Sequence, residues 1–333
     1  MFFSHKGDKE VNLTDIQYLA EKIKETIQRV VIGKDEQINH LLIALISSGH
    51  VLLEDVPGTG KTLLAKTLAK SLSCSFNRIQ FTPDLLPSDI TGMNFYNQKE
   101  GVFEFRPGAI FSNIVLADEL NRATPRTQSS LLECMEERQT TIDGHTYQLK
   151  RPFMVIATQN PVENHGTFPL PEAQLDRFLL KIQLGYPTKE EGLHILKRFK
   201  DVNPLEDIDS IASTEEILAA QDLYSSIYVS DDVLLYIMNI VEMTRTHSAV
   251  ELGVSPRGSQ ALLKAVQVLA ILKGRDYVSP DDVKEMVKPV LGHRILLKSV
   301  IRAKFTKVES VLDEIISSVP VPTEKALTKG VHQ

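Results

Sequence analysis

The stretch EDVPGTGKT, residues 54–62, nearly matches the phosphate-binding pattern G-x-x-x-x-G-K-S/T. It departs from that pattern at one position, because Asp55 stands where the first glycine is expected. This position lies where the chain leaves the preceding strand, far from the terminal phosphates of a nucleotide, and aspartate tolerates turn conformations well. The departure therefore leaves the prediction of a nucleotide site in place.

The rest of the loop supplies what a triphosphate requires. Gly58 and Gly60 permit the backbone bends that turn N–H groups toward phosphates. Lys61 supplies a positive charge for the terminal phosphates, and Thr62 offers a hydroxyl to Mg²⁺. The predicted nucleotide-binding residues of this loop are Pro57, Gly58, Thr59, Gly60, Lys61, Thr62 and Leu63.

The sequence around the loop has the order of strand, loop and helix. An apolar run at 50–54 precedes the loop, and residues 62–72 follow it with apolar side chains at helical spacing. A helix at that position directs its positive end at the phosphates. The alternative is a glycine-rich turn with an exposed lysine, but the flanking strand and helix favour the nucleotide site.

A second motif, NIVLADEL at 113–120, is an apolar strand that ends in Asp118 and Glu119. Successive residues of a strand point to opposite faces, so the two carboxylates can do different work. Asp118 is the candidate ligand of Mg²⁺, and Glu119 is the candidate base for the attacking water. Alone, the pattern also fits a solvated strand end; together with the phosphate loop it predicts phosphoryl transfer.

Short apolar runs alternate with helical stretches through the first half of the chain. The runs lie at 50–54, 76–81, 113–118, 153–158 and 179–184. This alternation predicts an α/β fold, with a parallel five-stranded sheet flanked by helices. Two further segments, 91–108 and 138–150, have the pattern of inserted hairpins, and the second contains the turn signal Asp143-Gly144.

After Pro187 the pattern becomes helical. Helices are predicted at 188–200, 214–226, 231–247, 256–273 and 280–290. We therefore predict a domain boundary near 186–188. Residues 1–187 would form a nucleotide-binding core, and residues 188–333 a small all-α lid domain.

Composition narrows the class of protein. The net charge of −6 over 333 residues argues against a standing nucleic-acid-binding surface. The two cysteines, without metal-ligand spacing, indicate free thiols in a reducing compartment. The longest apolar runs are far shorter than the ~20 residues that span a bilayer. The expectation is a soluble cytoplasmic protein with no membrane span, and the charge balance disfavours a nucleic-acid partner.

Three strings resemble the MoxR-type AAA+ ATPases. They are ADELNRATPRTQSSLLECMEERQTTIDG at 117–144, FMVIATQNPVENHGTFPLPEAQLDRF at 153–178 and GVSPRGSQALL at 253–263. The resemblance implies a role for individual residues. Asn160 would be a first sensor that orients the attacking water, Arg177 an arginine finger, and Arg257 a second sensor. Ile32 and Gly33 would lie on the adenine side.

Plainer interpretations of the same residues stay open. Asn160 also fits a turn that closes a strand. Arg177 also fits an intrachain ion pair with Glu172 or Asp176, and Arg257 a solvated arginine at a helix start. Residues 31–33 also fit a hydrophobic linker.

The resemblance implies a Mg²⁺-dependent ATPase that binds ATP between its own two domains and forms a homo-oligomer, a hexameric ring. Hydrolysis would be coupled to chaperone-like remodelling, assembly or metal insertion of protein clients, with a von Willebrand A domain protein as a partner. Two other functions stay open. One is a nucleic-acid-stimulated AAA+ motor, since basic residues lie near the hairpins; the other is a slow-hydrolysing nucleotide-binding scaffold.

Overall fold

The structure is a computed structural model that describes residues 12–56, 58–160, 166–200, 204–302 and 307–322. The strands are β1 (Val51–Glu54), β2 (Phe76–Gln80), β3 (Gly92–Asn97), β4 (Val102–Pro107), β5 (Ile114–Asp118), β6 (Gln139–Ile142), β7 (His145–Gln148), β8 (Met154–Gln159), β9 (Leu180–Ile182), β10 (Val250–Leu252) and β11 (Leu296–Leu297). The α-helices are α1 (Leu13–Gln28), α2 (Asp35–Ile46), α3 (Lys61–Ser71), α4 (Pro87–Thr91), α5 (Pro125–Glu137), α6 (Glu172–Leu175), α7 (Lys189–Phe199), α8 (Thr214–Leu223), α9 (Asp231–Thr246), α10 (Pro256–Leu272), α11 (Pro280–Leu291), α12 (Ser299–Arg302) and α13 (Val308–Ser318). Short 3₁₀ turns occur at Leu120–Arg122, Tyr224–Ser226 and Gly292–Arg294.

The central sheet has five strands in the order β2-β5-β8-β1-β9. All four neighbouring pairs are parallel. Each predicted strand is present to within two residues at either end, and the predicted fold class is confirmed. Because the strands are parallel, their carboxyl ends all meet at one edge of the sheet.

Helices cover both faces of this sheet, which explains why its central strands are apolar throughout. Alternate residues of β5 enter different clusters of buried side chains. Ile114 and Leu116 belong to a cluster that also contains side chains of α1, α2 and α3. Val115 and Ala117 pack on the other face with Leu131 of α5.

Both predicted hairpins are confirmed as antiparallel pairs, β3 with β4 and β6 with β7. Asp143 and Gly144 have φ of 49° and 80°, the left-handed backbone that a tight hairpin turn requires. The hairpins contact each other. The rings of Phe105 and Tyr147 stack with centroids 4.1 Å apart, and Asn94 Nδ2 donates to Asp143 Oδ2 at 2.8 Å.

The predicted helices beyond Pro187 are present as α7 to α11. The antiparallel pair β10–β11 and helix α13 were not predicted. Strands of two or three residues are too short to show a period in sequence. One cluster of buried side chains includes both Leu64 and Val283, which lie on either side of the proposed domain boundary near 186–188. That boundary stays a prediction.

Within the part of the chain that the structure describes, no helix has the length and apolar character to cross a membrane.

Candidate active site

The predicted phosphate loop and acidic motif come together at the carboxyl edge of the sheet. The loop follows β1, Asp118 ends β5, and Asn160 follows β8. Strand β8 lies between β5 and β1 in the sheet. The three segments therefore leave adjacent strands at the same edge, where ligands bind in parallel α/β sheets.

The phosphate loop has the backbone that its glycines predict. Gly58 and Gly60 have φ of 83° and 91°, in the left-handed region. Backbone conformation, and not lack of space, favours glycine at these two positions, because a Cβ at either one would meet no atom within 4 Å. Gly60 is the N-cap of α3, so the free N–H groups of that helix begin at Lys61 and Thr62. Of the predicted loop residues, Pro57 lies outside the described residues.

Lys61 is held inside its own loop. Its Nζ donates to the backbone oxygens of Asp55 and Val56 at 2.9 and 3.2 Å. These two bonds use two of the three donors of the ammonium group and hold it beside the loop.

Asp55 has a structural role that a glycine could not fill. Its side chain is buried; Oδ1 accepts from the Val56 N–H at 2.8 Å, and Oδ2 from the Gly185 N–H at 2.7 Å. Its own N–H donates to Gln159 O at 3.1 Å. Asp55 therefore joins the base of the loop to the chain that follows β9.

Asp118 is buried and bound from two sides. Thr158 Oγ1 donates to its Oδ1 at 2.6 Å. Arg78 donates to its Oδ2 from Nη2 at 2.6 Å and from Nε at 3.1 Å. A carboxylate that already holds a cation of the chain is suited to holding a metal cation at the same oxygens.

Glu119 follows the last residue of β5, so the strand alternation from which its direction was predicted does not extend to it. Its backbone is left-handed, with φ 58° and ψ 46°, a costly conformation for a residue other than glycine and one that is common at active sites. Its N–H donates to Thr158 Oγ1 at 2.8 Å. Its Oε2 accepts from Gln80 Nε2 at 2.8 Å and lies 3.0 Å from Arg122 Nε.

Sequence reasoning missed three residues of this network: Arg78, Gln80 and Thr158. Arg78 and Gln80 occupy alternate positions of β2, so they share one face of the strand. Two polar side chains at that spacing in a predicted strand could have indicated a polar face directed at the site. Thr158 interrupts an otherwise apolar run two residues before Asn160. Its hydrogen bond to Asp118 requires that β5 lie next to β8, which the sequence does not state.

Asn160 and the predicted adenine-side residues surround the same edge. Asn160 is buried directly after β8. Ile32 and Gly33 lie in the connection between α1 and α2. Gly33 has φ of 69°, and a Cβ there would overlap the Glu191 side chain at the start of α7. The next residue, Lys34, donates to Tyr186 O at 3.5 Å, one residue after the Gly185 that binds Asp55.

Arg177 and Arg257 lie elsewhere. Both contact one carboxylate, Glu136 near the end of α5: Arg177 Nε is 3.7 Å from Glu136 Oε2, and Arg257 Nη2 forms an ion pair with Glu136 Oε1. The intrachain ion pair of Arg177 is thus with Glu136, and not with Glu172 or Asp176, which the plainer interpretation gave as examples. Asp176 instead pairs with Arg294.

The two arginines line a cavity of about 450 Å³ at the amino edge of the sheet. Residues 47–50, which precede β1, line the same cavity, and Arg177 itself precedes β9. Strand β1 has four residues and separates this edge from the phosphate loop by about 13 Å. The structure therefore does not bring Arg177 or Arg257 to the phosphate loop of their own chain.

A phosphate loop between strand and helix, with a neighbouring strand that ends in two carboxylates, defines a P-loop NTPase. The family model described as ATPase family associated with various cellular activities (AAA) matches residues 50–180, and the AAA lid domain model matches 242–315. The class is therefore AAA+.

Similar proteins narrow the class to a family. The chain is 49% identical over 315 residues to the protein YeaC of Bacillus subtilis (strain 168), which covers 95% of this chain and 98% of YeaC. It is 39% identical to Chaperone MoxR1 of Mycobacterium tuberculosis, over 98% of this chain and 88% of that protein. A crystal structure from Cytophaga hutchinsonii superposes with a TM-score of 0.88 at 40% identity, over 93% of this chain and 97% of that one. The chain belongs to the MoxR-type AAA+ ATPases.

Proposed function

We propose that this protein hydrolyses ATP to ADP and phosphate with the help of Mg²⁺. The observation that carries the proposal is the meeting of Lys61, Asp118 and Asn160 at the ends of three adjacent strands. Phosphoryl transfer to water needs a cation for the phosphates, a metal-binding carboxylate and a group that orients water, all within reach of one triphosphate.

The residues present fit a magnesium ion. Mg²⁺ prefers oxygen ligands and takes few of them from protein. Thr62 and Asp118 offer a hydroxyl and a carboxylate at the same edge, and Asp118 already holds the cationic Arg78. When bound there, the metal would offset charge on the phosphates. Thr62 and Asp118 are the residues that would hold it.

The chain's own residues supply the remaining steps. Lys61 and the N–H groups at the start of α3 would hold the phosphates. Glu119 would take a proton from the attacking water, after its carboxylate leaves Gln80 and Arg122. Asn160 would orient that water. Ile32 and Gly33 would contact the adenine.

A neighbouring copy would complete the site. Arg177 and Arg257 lie at the opposite edge of the sheet from Lys61, and both reach Glu136. A head-to-tail contact would bring that edge of one copy against the phosphate loop of the next. Repetition of this contact closes a ring, which we propose to be hexameric. Arg177 and Arg257 would then act on the same nucleotide, that of the neighbour.

The work done by hydrolysis is proposed from the relatives. One of them is named a chaperone. We propose chaperone-like remodelling, assembly or metal insertion of a protein client in the cytoplasm, together with a von Willebrand A domain partner. The hairpins β3–β4 and β6–β7 are the segments that would move against the client, because they are joined to each other and carry the exposed aromatic side chains of Tyr96 and Phe103.

The base assignment is tested with Glu119→Gln. This variant should bind ATP with the parent affinity and lose at least about a hundredfold in turnover, since it keeps shape but cannot accept the proton. Phosphate release and nucleotide titration measure the two quantities. Glu133→Gln, on the exposed side of α5, is the control. Parent turnover by Glu119→Gln would remove Glu119 from the role of base.

The shared site is tested by mixing inactive variants. Arg177→Ala and Lys61→Ala should each be inactive alone. Mixed in equal amounts, they should recover about a quarter of the parent activity, because that fraction of random interfaces pairs an intact loop with an intact arginine. Gel filtration should show that the variants share rings. Shared rings without recovery would contradict an Arg177 that acts on its neighbour.

A further inference from the structure

Asp176, the residue before Arg177, is bound on both carboxylate oxygens. Ser255 Oγ donates to Oδ2 at 2.8 Å, and Arg294 Nε donates to Oδ1 at 2.7 Å. Asp176 has no other ion-pair partner among the described residues than Arg294. The carboxylate thus joins the segment that carries Arg177 to two separate parts of the helical half of the chain.

Arg294 encloses the backbone of that segment. Its Nη2 donates to Asp176 O at 3.2 Å and Phe178 O at 2.6 Å, and its Nη1 donates to Leu179 O at 3.2 Å. Its side chain is 2% exposed. A buried guanidinium with so many fixed acceptors has little freedom, so residues 176–179 are held at one position and orientation.

Ser255 links Asp176 to the second arginine. It is the N-cap of α10, where its Oγ accepts from the Gly258 N–H at 3.2 Å. Arg257 lies two residues later, in the first turn of that helix. One hydroxyl therefore fixes the start of the helix that carries Arg257 relative to the residue beside Arg177.

We propose that Asp176, Ser255 and Arg294 are positioning residues that hold Arg177 and Arg257 as one rigid pair. The proposal rests on the proposed function, in which both arginines serve a neighbour's nucleotide. The two side chains converge on Glu136 although they come from distant parts of the sequence. Joint action on one neighbouring nucleotide requires that the supporting backbones be fixed relative to each other, since small displacements of charged groups strongly reduce catalysis.

Ser255 offers the cleanest test, because loss of a neutral hydroxyl leaves no buried charge unpaired. Ser255→Ala should reduce ATP turnover by about 10- to 100-fold. Ser230→Ala is the matched control, since Ser230 is the N-cap of α9 and caps Val233 N at 3.3 Å. Ser230→Ala should lower the stability of the protein as much as Ser255→Ala does, because both remove an N-cap, but it should lower turnover less than about twofold. Ser255→Thr keeps a hydroxyl and should restore turnover.

A second variant separates positioning from helix capping. Ser255→Gly removes the bond to Asp176 but costs the helix start only a few tenths of a kcal/mol. It should show the same loss of turnover as Ser255→Ala. Equal losses in Ser255→Ala and Ser230→Ala, or parent turnover in a folded Ser255→Gly, would overturn the proposal.

Mixing gives a readout that a general loss of structure would not produce. The phosphate loop of Ser255→Ala is intact, so its affinity for a fluorescent ATP analogue should stay within about twofold of the parent. Mixing with Lys61→Ala should restore turnover, because the Lys61→Ala neighbour supplies correctly held arginines. If Lys61→Ala restores turnover when mixed with Arg177→Ala but not when mixed with Ser255→Ala, this inference alone is overturned. If rings shared by Arg177→Ala and Lys61→Ala recover no turnover, both this inference and the proposed shared site are overturned.

Discussion

Arg78 Nη2 lies 2.6 Å from Asp118 Oδ2, so the carboxylate predicted to hold Mg²⁺ is paired with a cation of its own chain. Arg78 comes from the edge strand β2, and its side chain is 46% exposed. The proposed metal would be held by the same carboxylate that now holds the guanidinium. Binding of Mg²⁺ at Asp118, as proposed, would therefore compete with this ion pair.

Removal of Arg78 should make magnesium binding easier. An ion pair this exposed contributes roughly 0.2–1 kcal/mol, which corresponds to at most about a fivefold change in an equilibrium constant. We expect Arg78→Ala to lower the Mg²⁺ concentration for half-maximal ATP binding by about two- to fivefold. A fluorescent ATP analogue titrated with Mg²⁺ measures this concentration. Arg106→Ala on hairpin β3–β4 should leave it unchanged, and an increase for Arg78→Ala would place Arg78 among the phosphate-binding cations.

Asp55→Gly, which restores the strict loop pattern, should make the protein less stable. The substitution removes a buried carboxylate that accepts from the N–H groups of Val56 and Gly185. We expect the free energy of unfolding to fall by about 1–3 kcal/mol, as for loss of hydrogen bonds to a charged acceptor. Urea denaturation measures it. Asp55→Asn retains one acceptor oxygen and should lose less; a Gly variant as stable as the parent would refute the structural role.

The sequence predicted what depends on local pattern. Buried parallel strands appear as apolar runs, and the turn at Asp143 and Gly144 has its own signature, so the sheet and both hairpins could be located. The phosphate loop and the pair Asp118 and Glu119 were likewise visible, because each is a contiguous motif beside a strand.

What the sequence did not predict depends on strand order and packing. The bond from Arg78 to Asp118 requires β2 to lie beside β5, and apolar runs do not state their order in a sheet. The contact of Arg177 with Glu136 and the enclosure of residues 176–179 by Arg294 join segments 41 or more than 100 residues apart. No local period encodes such pairs, so these residues emerged only with the fold.

The two hairpins should behave as one unit. Phe105 and Tyr147 stack at a centroid distance of 4.1 Å with planes 20° apart, and aromatic pairs contribute about 0.5–1.5 kcal/mol beyond their buried area. Tyr147→Ala should therefore raise amide hydrogen exchange in β3 and β4 by about two- to tenfold, although the substitution lies in β7. Tyr96 is an exposed aromatic residue of β3 itself, so Tyr96→Ala shows how far a substitution within this hairpin changes its exchange. Unchanged exchange in β3 and β4 of Tyr147→Ala would show that the hairpins are independent.

Stability should fall as the pH drops below about 6.5, the ordinary pKa of histidine in an unfolded chain. Burial lowers the pKa of His50 and of His293 well below this value, and the nearby Arg138 and Arg294 lower them further. Both rings stay neutral in the folded protein, whereas the unfolded chain binds a proton at each below pH 6.5. Their contribution is therefore fully present above that pH and is lost as the pH falls, by at most about 1.4 kcal/mol per pH unit for each ring.

Replacement of His50 tests this dependence. Its Nδ1 accepts from the Val155 N–H at 2.9 Å, and Nε2 lies 3.1 Å from Met135 O, a pairing that a neutral ring satisfies. His50→Asn should lower stability at pH 7.5 and make it fall less between pH 7.5 and 5.5, measured by urea denaturation at each pH. Val155→Ala, a buried neighbour without a titrating group, should lower stability at both pH values and keep the parent slope. A parent slope in His50→Asn would mean that His50 is charged in the folded protein or that its proton uptake does not differ between the folded and unfolded states.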